Sequence, residues 1–309
     1  MKNKLIVGTR SSKLALTQSE SVVAQIKAAN PGLEVYIIHI TTSGDRNQRV
    51  PLGQTAGVGV FVKELEEALL EGRVDIAVHS LKDMPADLPE GLHLAATLER
   101  VYQGDVLVTR GPKLAELPEG AKIGTGSLRR AAEMVSFRPD LKMVSIRGNV
   151  DTRLGKALSG ELDGVILAAA GLKRLGWEDK ITEYLPMEHF MPAVGQGVIA
   201  IEARSADKET ARIVAPLNHK PTQYIVAAER AFLRTLAGGC QAPIAALATV
   251  DGDALKIDGM VIDVKTNKII RGTETGKVTQ AKSLGTKLAK KLLNAGADKL
   301  LPGDDYENW

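Results

Sequence analysis

The chain predicts an α/β fold: two lobes on mixed, mostly parallel sheets, followed by a small α+β domain. Three observations predict it. Short apolar runs alternate with amphipathic segments through the first two-thirds of the 309 residues. The alternation ends near residue 98 and restarts near residue 105, which divides it into two lobes of roughly 100 residues each. After Pro221 the pattern changes to one helix, alternating strands and a final helix.

In the first lobe, residues 5–7 form an apolar strand. Residues 13–29 form a helix stopped by Asn30-Pro31-Gly32, because proline cannot continue a helix and glycine ends one readily. A strand follows at 33–42, then a helix at 60–71 with Phe61, Leu65, Ala68 and Leu69 on one face. Strands at 74–78 and 92–98 complete this series. The second lobe has strands at 105–109 and 122–123, a helix from Leu128, a strand at 143–146, a helix from Thr152 and a strand at 165–168. In the last domain a helix carries Ile225, Ala228, Phe232 and Leu236. Strands around 255–264 and 268–271 follow, then a helix with Leu284, Leu288 and Leu292 at i+4 spacing. Residues 43–59 have little apolar pattern and the length of a lid.

Composition excludes several classes. Hydrophobic residues make up 44% and charged residues 25%, as in ordinary globular proteins. No apolar run approaches the ~18 residues of a membrane span, so no membrane partner is expected. The N-terminus has no apolar h-region or cleavage site, and the one cysteine suits a reducing compartment, so the expected location is the cytoplasm. With 40 basic and 37 acidic residues and 4% aromatics, the chain is too balanced and too poor in stacking platforms for a nucleic-acid partner. A lone cysteine cannot form an internal disulfide or a cysteine cage, and no metal site is expected.

Cations gather where strands end. Gly8-Thr9-Arg10-Ser11 and Gly124-Thr125-Gly126-Ser127 each follow a strand and open a helix. Those helix starts carry Arg10 and Lys13, and Arg129 and Arg130, which the helix dipole disfavours unless an anion binds there. Arg147 ends another strand, Arg153 lies in the next helix's first turn, and Lys173-Arg174 follows a further strand. Each could be solvated surface charge; together they point to a cleft for carboxylates or phosphates. The run His79-Ser80-Leu81-Lys82-Asp83-Met84-Pro85 leaves a buried strand and places one carboxylate among these cations. Asp83 is either a turn residue or a group that stabilises positive charge developing in a reaction. Cys240 follows Gly238-Gly239, and Pro243 prevents the helix before it from resuming. It reads either as a small buried hydrophobe or as a thiol whose backbone approaches something closely.

Taken together, Gly239-Cys240-Gln241, the 79–85 run, Gly124-Thr125-Gly126-Ser127-Leu128-Arg129-Arg130, Arg147-Gly148-Asn149, the 170–176 run and Val194-Gly195-Gln196-Gly197 resemble the porphobilinogen deaminase family, also called hydroxymethylbilane synthases. The resemblance spans almost the whole chain in order. It implies two lobes of type II periplasmic-binding-protein kind: 1–99 completed by 196–216, and 100–195, with 217–309 as the α+β domain bearing the cysteine. The implied activity is a transferase of tetrapyrrole biosynthesis. It joins four porphobilinogen molecules with loss of four ammonias to give 1-hydroxymethylbilane. The implied cofactor is a dipyrromethane primer on Cys240 through a thioether, and the implied state is a monomer. Each substrate carries an acetate and a propionate, which accounts for the arginines. Asp83 would stabilise the cation left by departing ammonia and move protons.

By the same resemblance, Cys240, Lys82, Asp83, Thr125, Ser127, Arg129, Arg130, Arg147 and Gly171 would contact the cofactor. Arg10, Ser12, Gln18, Arg147, Arg153, Arg174 and Gln196 would contact substrate, and Asp45 is a minor contact on the lid. The chain departs from the family pattern twice. Gly57-Val58-Gly59 replaces Gly-Lys-Gly, and Tyr102-Gln103-Gly104-Asp105 replaces Asp-Pro-Arg-Asp. These departures predict weaker substrate retention, and at Gly104 a freer backbone. Two other classes stay open on the residues alone. A protein that clamps an anion without chemistry explains the arginines but not Asp83 or the Gly-Gly-Cys run. A phosphate-binding transferase using 124–130 lacks a full P-loop.

Overall fold

A computed structural model describes residues 2–43, 62–236 and 243–301. In chain order the first elements are β1 (Lys4–Thr9), α1 (Lys13–Ala29), β2 (Glu34–His39), α2 (Lys63–Leu70), β3 (Ile76–Ser80) and β4 (Leu92–Thr97). Next come β5 (Asp105–Thr109), β6 (Lys122–Thr125), α3 (Leu128–Phe137), β7 (Lys142–Ser145), α4 (Val150–Leu158), β8 (Gly164–Ala168), α5 (Ala169–Arg174) and β9 (Glu183–Tyr184). The chain continues through β10 (Ile199–Arg204), α6 (Lys208–Val214), α7 (Lys220–Thr235), β11 (Ile244–Asp251), β12 (Ala254–Ile262), β13 (Ile269–Lys277) and α8 (Ala281–Asn294).

The chain divides into two compact units, Met1–Val101 with Val198–Gln223, and Tyr102–Gly197 with Tyr224–Trp309. Unit 1 holds a five-stranded sheet in the order β2-β1-β3-β10-β4. Its β1 runs parallel to β2 and β3, while β10 runs antiparallel to β3 and β4. Unit 2 holds a sheet of matching plan, β7-β6-β8-β5-β9, in which β5 is the strand antiparallel to β8. In each sheet the antiparallel strand is the first one after the chain passes from one unit to the other. Each sheet is thus mixed and mostly parallel, as the sequence predicts. Unit 2 also holds the antiparallel meander β11-β12-β13.

Helices cover both faces of each five-stranded sheet, which is why its central strands read as continuous apolar runs. In unit 1, Leu5, Val7, Ile76, Val78 and Ile201 pack on Val22 and Ile26 of α1; Ala77 and Val74 pack on Leu65 and Leu69 of α2. In unit 2, Val106, Val165 and Leu167 meet Leu154 and Leu172, while Leu107, Ile123 and Ile166 meet Met134 and Phe190. Burying each such side chain contributes about 1.5–3 kcal/mol. The meander packs on α8 through small residues: a Cβ at Gly272 would lie 2.9 Å from Leu292, and one at Gly276 would lie 3.0 Å from Leu284. This explains why β13 extends to Lys277, beyond the segment 268–271 expected for it. Its inward positions are glycines that the leucines of α8 cover, so they give no apolar alternation. Strands β9, β10 and β11 have no counterpart in the periodicity reading.

Candidate active site

Open α/β sheets bind ligands beyond the carboxyl ends of their parallel strands, and the charged residues lie there in both units. In unit 1, β1 ends at Thr9 and the chain bends through Arg10 into α1. Ser12 caps this helix, accepting from the N–H of Ala15 at 3.3 Å. The first turn of α1 holds no acid. Beside it β3 runs into a 3-10 turn, Leu81–Asp83, closed by the Met84 N–H on the Leu81 carbonyl at 3.1 Å. Gln18 is 3% exposed and donates through Nε2 to Ser80 Oγ at 2.9 Å, tying α1 to the end of β3. Arg10, Ser12, Gln18, His79, Ser80 and Asp83 all line one open pocket enclosing about 400 Å³ of empty space, its mouth included. The structure therefore brings together the expected Arg10, Ser12, Gln18 and Asp83. Lys82 is half-buried in the same turn.

In unit 2 the corresponding edge is cationic. Thr125 Oγ1 accepts from the N–H of Ser127 at 3.2 Å, and Ser127 caps α3. A Cβ at Gly126 would lie 2.6 Å from the Ile146 carbonyl oxygen and 3.9 Å from both terminal nitrogens of Arg153. Only glycine fits there, and the guanidinium lies against that turn. Arg153 Nε also donates to the Gly148 carbonyl at 2.7 Å. Arg147 follows β7, and burial pushes its guanidinium pKa down. Arg174 lies in the last turn of α5, the short helix that follows β8, and Gly171 is buried in that helix. Arg174 donates to the Gly197 carbonyl at 2.7 Å. Burial pushes its pKa down to about 10, and no carboxylate among the described residues offsets that burial. A desolvated cation in this state favours an anionic ligand.

Arg129 and Arg130 lie deeper, 3% and 5% exposed. Arg129 Nη2 meets Asp105 Oδ2 at 2.7 Å, and its Nη1 meets Glu133 Oε2 at 2.7 Å. Arg130 Nη2 meets Asp105 Oδ1 at 2.6 Å. Burial alone would raise the Asp105 pKa; the two guanidiniums outweigh it and hold the carboxyl well below its ordinary range. Gln196 Nε2 completes the cluster on Asp105 Oδ1 at 2.8 Å and on the Gln103 carbonyl at 2.7 Å. Sequence reasoning assigned these arginines to a cofactor and did not give them Asp105. The Nε atoms of both arginines are buried without a hydrogen-bond acceptor.

Residues 5–212 match the family profile described as the porphobilinogen deaminase dipyrromethane cofactor-binding domain, and 223–294 match that family's C-terminal domain. The chain belongs to the porphobilinogen deaminase family. Relatives bearing the family name include that of Geotalea uraniireducens, 48% identical over 96% of this chain and 93% of its own. That of Syntrophus aciditrophicus is 49% identical over 96% and 97%. That of Roseiflexus castenholzii is 47% identical over 98% and 100%. Among solved structures, a probable amino-acid ABC transporter extracellular-binding protein from Bacillus subtilis overlaps 70% of this chain and 90% of its own at 10% identity, with a TM-score of 0.42. The fold class rests on the strand orders given above.

The residues present fit the family's dipyrromethane, a group bearing carboxylates. Arg174 is desolvated without an acid, and the orphaned Nε atoms of Arg129 and Arg130 are donors that need acceptors. Cys240, the expected anchor, lies outside the described residues, as do Asp45 and Val58. Gly104 does not give the freer backbone expected of it. The Tyr102 ring fills the space above it, so that a Cβ there would lie 2.6 Å from Tyr102 Cε1. Tyr102 in turn packs edge-on against Tyr184, with centroids 5.3 Å apart. Sequence reasoning also missed Glu66 and Glu202. The only signal for Glu202 is one acid inside the apolar run Ile199-Ala200-Ile201-Glu202-Ala203.

Proposed function

We propose that the protein joins four porphobilinogen molecules head to tail on a dipyrromethane primer carried by Cys240, releasing four ammonias, and that one water then frees the chain as 1-hydroxymethylbilane. The observation that carries this reading is the contrast between Arg174, a desolvated cation with no acid among the described residues to offset it, and Asp83, a carboxylate at a strand exit. When bound, the dipyrromethane supplies the free pyrrole carbon to which substrate is joined. Arg147, Arg153 and Arg174 hold acetate and propionate groups, aided by hydroxyls of Thr125 and Ser127, backbone at Gly171 and the ammonium of Lys82. Arg129 and Arg130 reach a carboxylate through their open Nε atoms while Asp105 keeps their forks fixed, and Gln196 holds Asp105 in place.

Arg10, Ser12 and Gln18 line the pocket that takes the incoming substrate. Asp83 faces the aminomethyl group there. Its negative charge stabilises the positive charge that grows as ammonia leaves, and it accepts the proton shed by the pyrrole carbon. Cys240 is the anchor because a soft thiolate suits capture of an electrophilic methylene carbon. The reading takes the protein as a cytoplasmic monomer of three domains, 1–99 with 196–216, 100–195 and 217–309.

Intact mass measured before and after incubation with porphobilinogen tests the reading. A primer adduct that gains one to four substrate units is expected, together with colour in Ehrlich's reagent, and Cys240→Ala should lose both. An adduct that persists in Cys240→Ala would refute the anchor. Wild-type protein that gains no mass would refute the reaction.

A further inference from the structure

Unit 1 contains a cluster of buried acids that the reaction above leaves unused. His79 of β3 and Glu202 of β10 are 5% and 0% exposed, and His79 Nε2 lies 2.9 Å from Glu202 Oε2. The antiparallel register pairs His79 with Ala200, so Glu202 reaches it diagonally from two residues along. Glu66 of α2, a helix packed against both β3 and β10, is 7% exposed and feels the charges of Glu202 and His79. One oxygen of each acid, Glu66 Oε1 and Glu202 Oε1, is buried without a hydrogen-bond partner. An ionised pair would leave both oxygens unsatisfied and two like charges in one apolar site, at a large cost. A single proton removes both penalties, because a protonated carboxyl becomes a donor.

We propose that Glu66 keeps a proton far above the ordinary carboxylate range and donates it to Glu202 Oε1, forming a chain Glu66–Glu202–His79 that positions the end of β3 from which Asp83 leaves. All three are positioning residues. The positioning half of this proposal rests on Asp83 being the reacting carboxylate; the proton-holding half does not. The chain lies directly behind the site, since His79 borders the same pocket as Asp83. Burial and then the Glu202 charge raise the Glu66 pKa to about 7, against a smaller opposing effect of His79, and Glu67 on the same helix adds to the rise. Other charged groups on the strands packed against α2 are engaged elsewhere. Lys4 of β1 lies over the Tyr36 ring, His93 of β4 meets the Ala203 carbonyl, and Arg204 of β10 donates to the Leu69 and Val74 carbonyls.

The sign of the pH effect follows from the raised pKa. Stability from the proton is fully present below the ordinary carboxylate range and is lost as pH rises through about 7. Glu66→Gln supplies the same donor permanently. The holoprotein of this variant should unfold with the same constant as wild type near pH 5 and be the more stable at pH 8, by roughly ten- to a hundredfold in that constant. Glu202→Gln removes the charge that holds the proton and should weaken the same pH dependence. Infrared spectra of the wild type should show a protonated-carboxyl stretch that titrates near pH 7 and is absent from Glu66→Gln. A wild-type spectrum without that band, or a stability difference that does not change with pH, would overturn the proton. The ratio of kcat in Glu66→Gln to kcat in wild type should rise above pH 7 at equal KM. A flat ratio would overturn the positioning half. Should Asp83→Asn prove active, the stability and infrared results would still decide the proton independently.

Discussion

The two five-stranded sheets share one plan, yet their strand ends differ in charge. In unit 1 the edge carries Asp83 with Gln18 and Ser80 and, among the described residues, Arg10 and Lys82, above a buried pair formed by His79 and Glu202. In unit 2 the edge carries Arg147, Arg153 and Arg174, above Arg129 and Arg130 locked to Asp105. Each edge stands on a buried charge cluster: Glu66 and Glu202 with His79 in unit 1, and Arg129 and Arg130 with Asp105 and Glu133 in unit 2. One topology thus serves two tasks. On the proposed reading, the edge of unit 2 holds carboxylates and the edge bearing Asp83 reacts.

Breaking the cluster of unit 2 should have the largest effect. Asp105→Asn leaves two buried guanidiniums without their shared counter-charge, and urea unfolding should show a loss of about 3–5 kcal/mol. A loss below about 1 kcal/mol would mean that water already reaches those arginines. Next comes the reacting edge. Asp83→Asn keeps the shape and removes the charge, so steady-state kcat should fall at least roughly a hundredfold while KM changes little. Removing single cations from the holding edge should show the converse. Arg147→Leu, Arg153→Leu and Arg174→Leu should each weaken substrate or primer binding by about 1.5–3 kcal/mol, read from KM or from stalled adducts by mass. Unchanged adduct distributions in all three would reduce these residues to surface charge. The smallest effect belongs to the strand connection in unit 2. Gly104→Ala should destabilise by about 1–3 kcal/mol through overlap with Tyr102, and adding Tyr102→Ala should recover most of that loss. A neutral Gly104→Ala would mean that the ring moves aside freely.

The reacting edge was the more legible in the sequence. An apolar run that breaks into His79-Ser80-Leu81-Lys82-Asp83 and then Pro85 marks a strand exit with chemistry on it, and the structure places a pocket there. The strand β10 gave no such signal, because its partners β3 and β4 lie far away along the chain and periodicity reports only local faces. The holding edge was legible in its residue types and not in their partners. Arg129 and Arg147 look alike in sequence, yet one is 3% exposed and bound to two acids, while burial lowers the pKa of the other. Glu66 was invisible for a related reason: an acid in a short amphipathic helix looks solvated until the strand it packs on brings Glu202.

Ammonia release in a single turnover, followed against porphobilinogen concentration for Asp83→Asn and Arg174→Leu side by side, tests this division of labour most directly. Asp83→Asn should saturate at nearly the wild-type concentration and release ammonia at least roughly a hundredfold more slowly. Arg174→Leu should need more substrate to saturate and then approach the wild-type rate. Near wild-type release from Asp83→Asn, or a slowed rate at saturation with unchanged affinity in Arg174→Leu, would contradict the assignment of reaction to one edge and holding to the other.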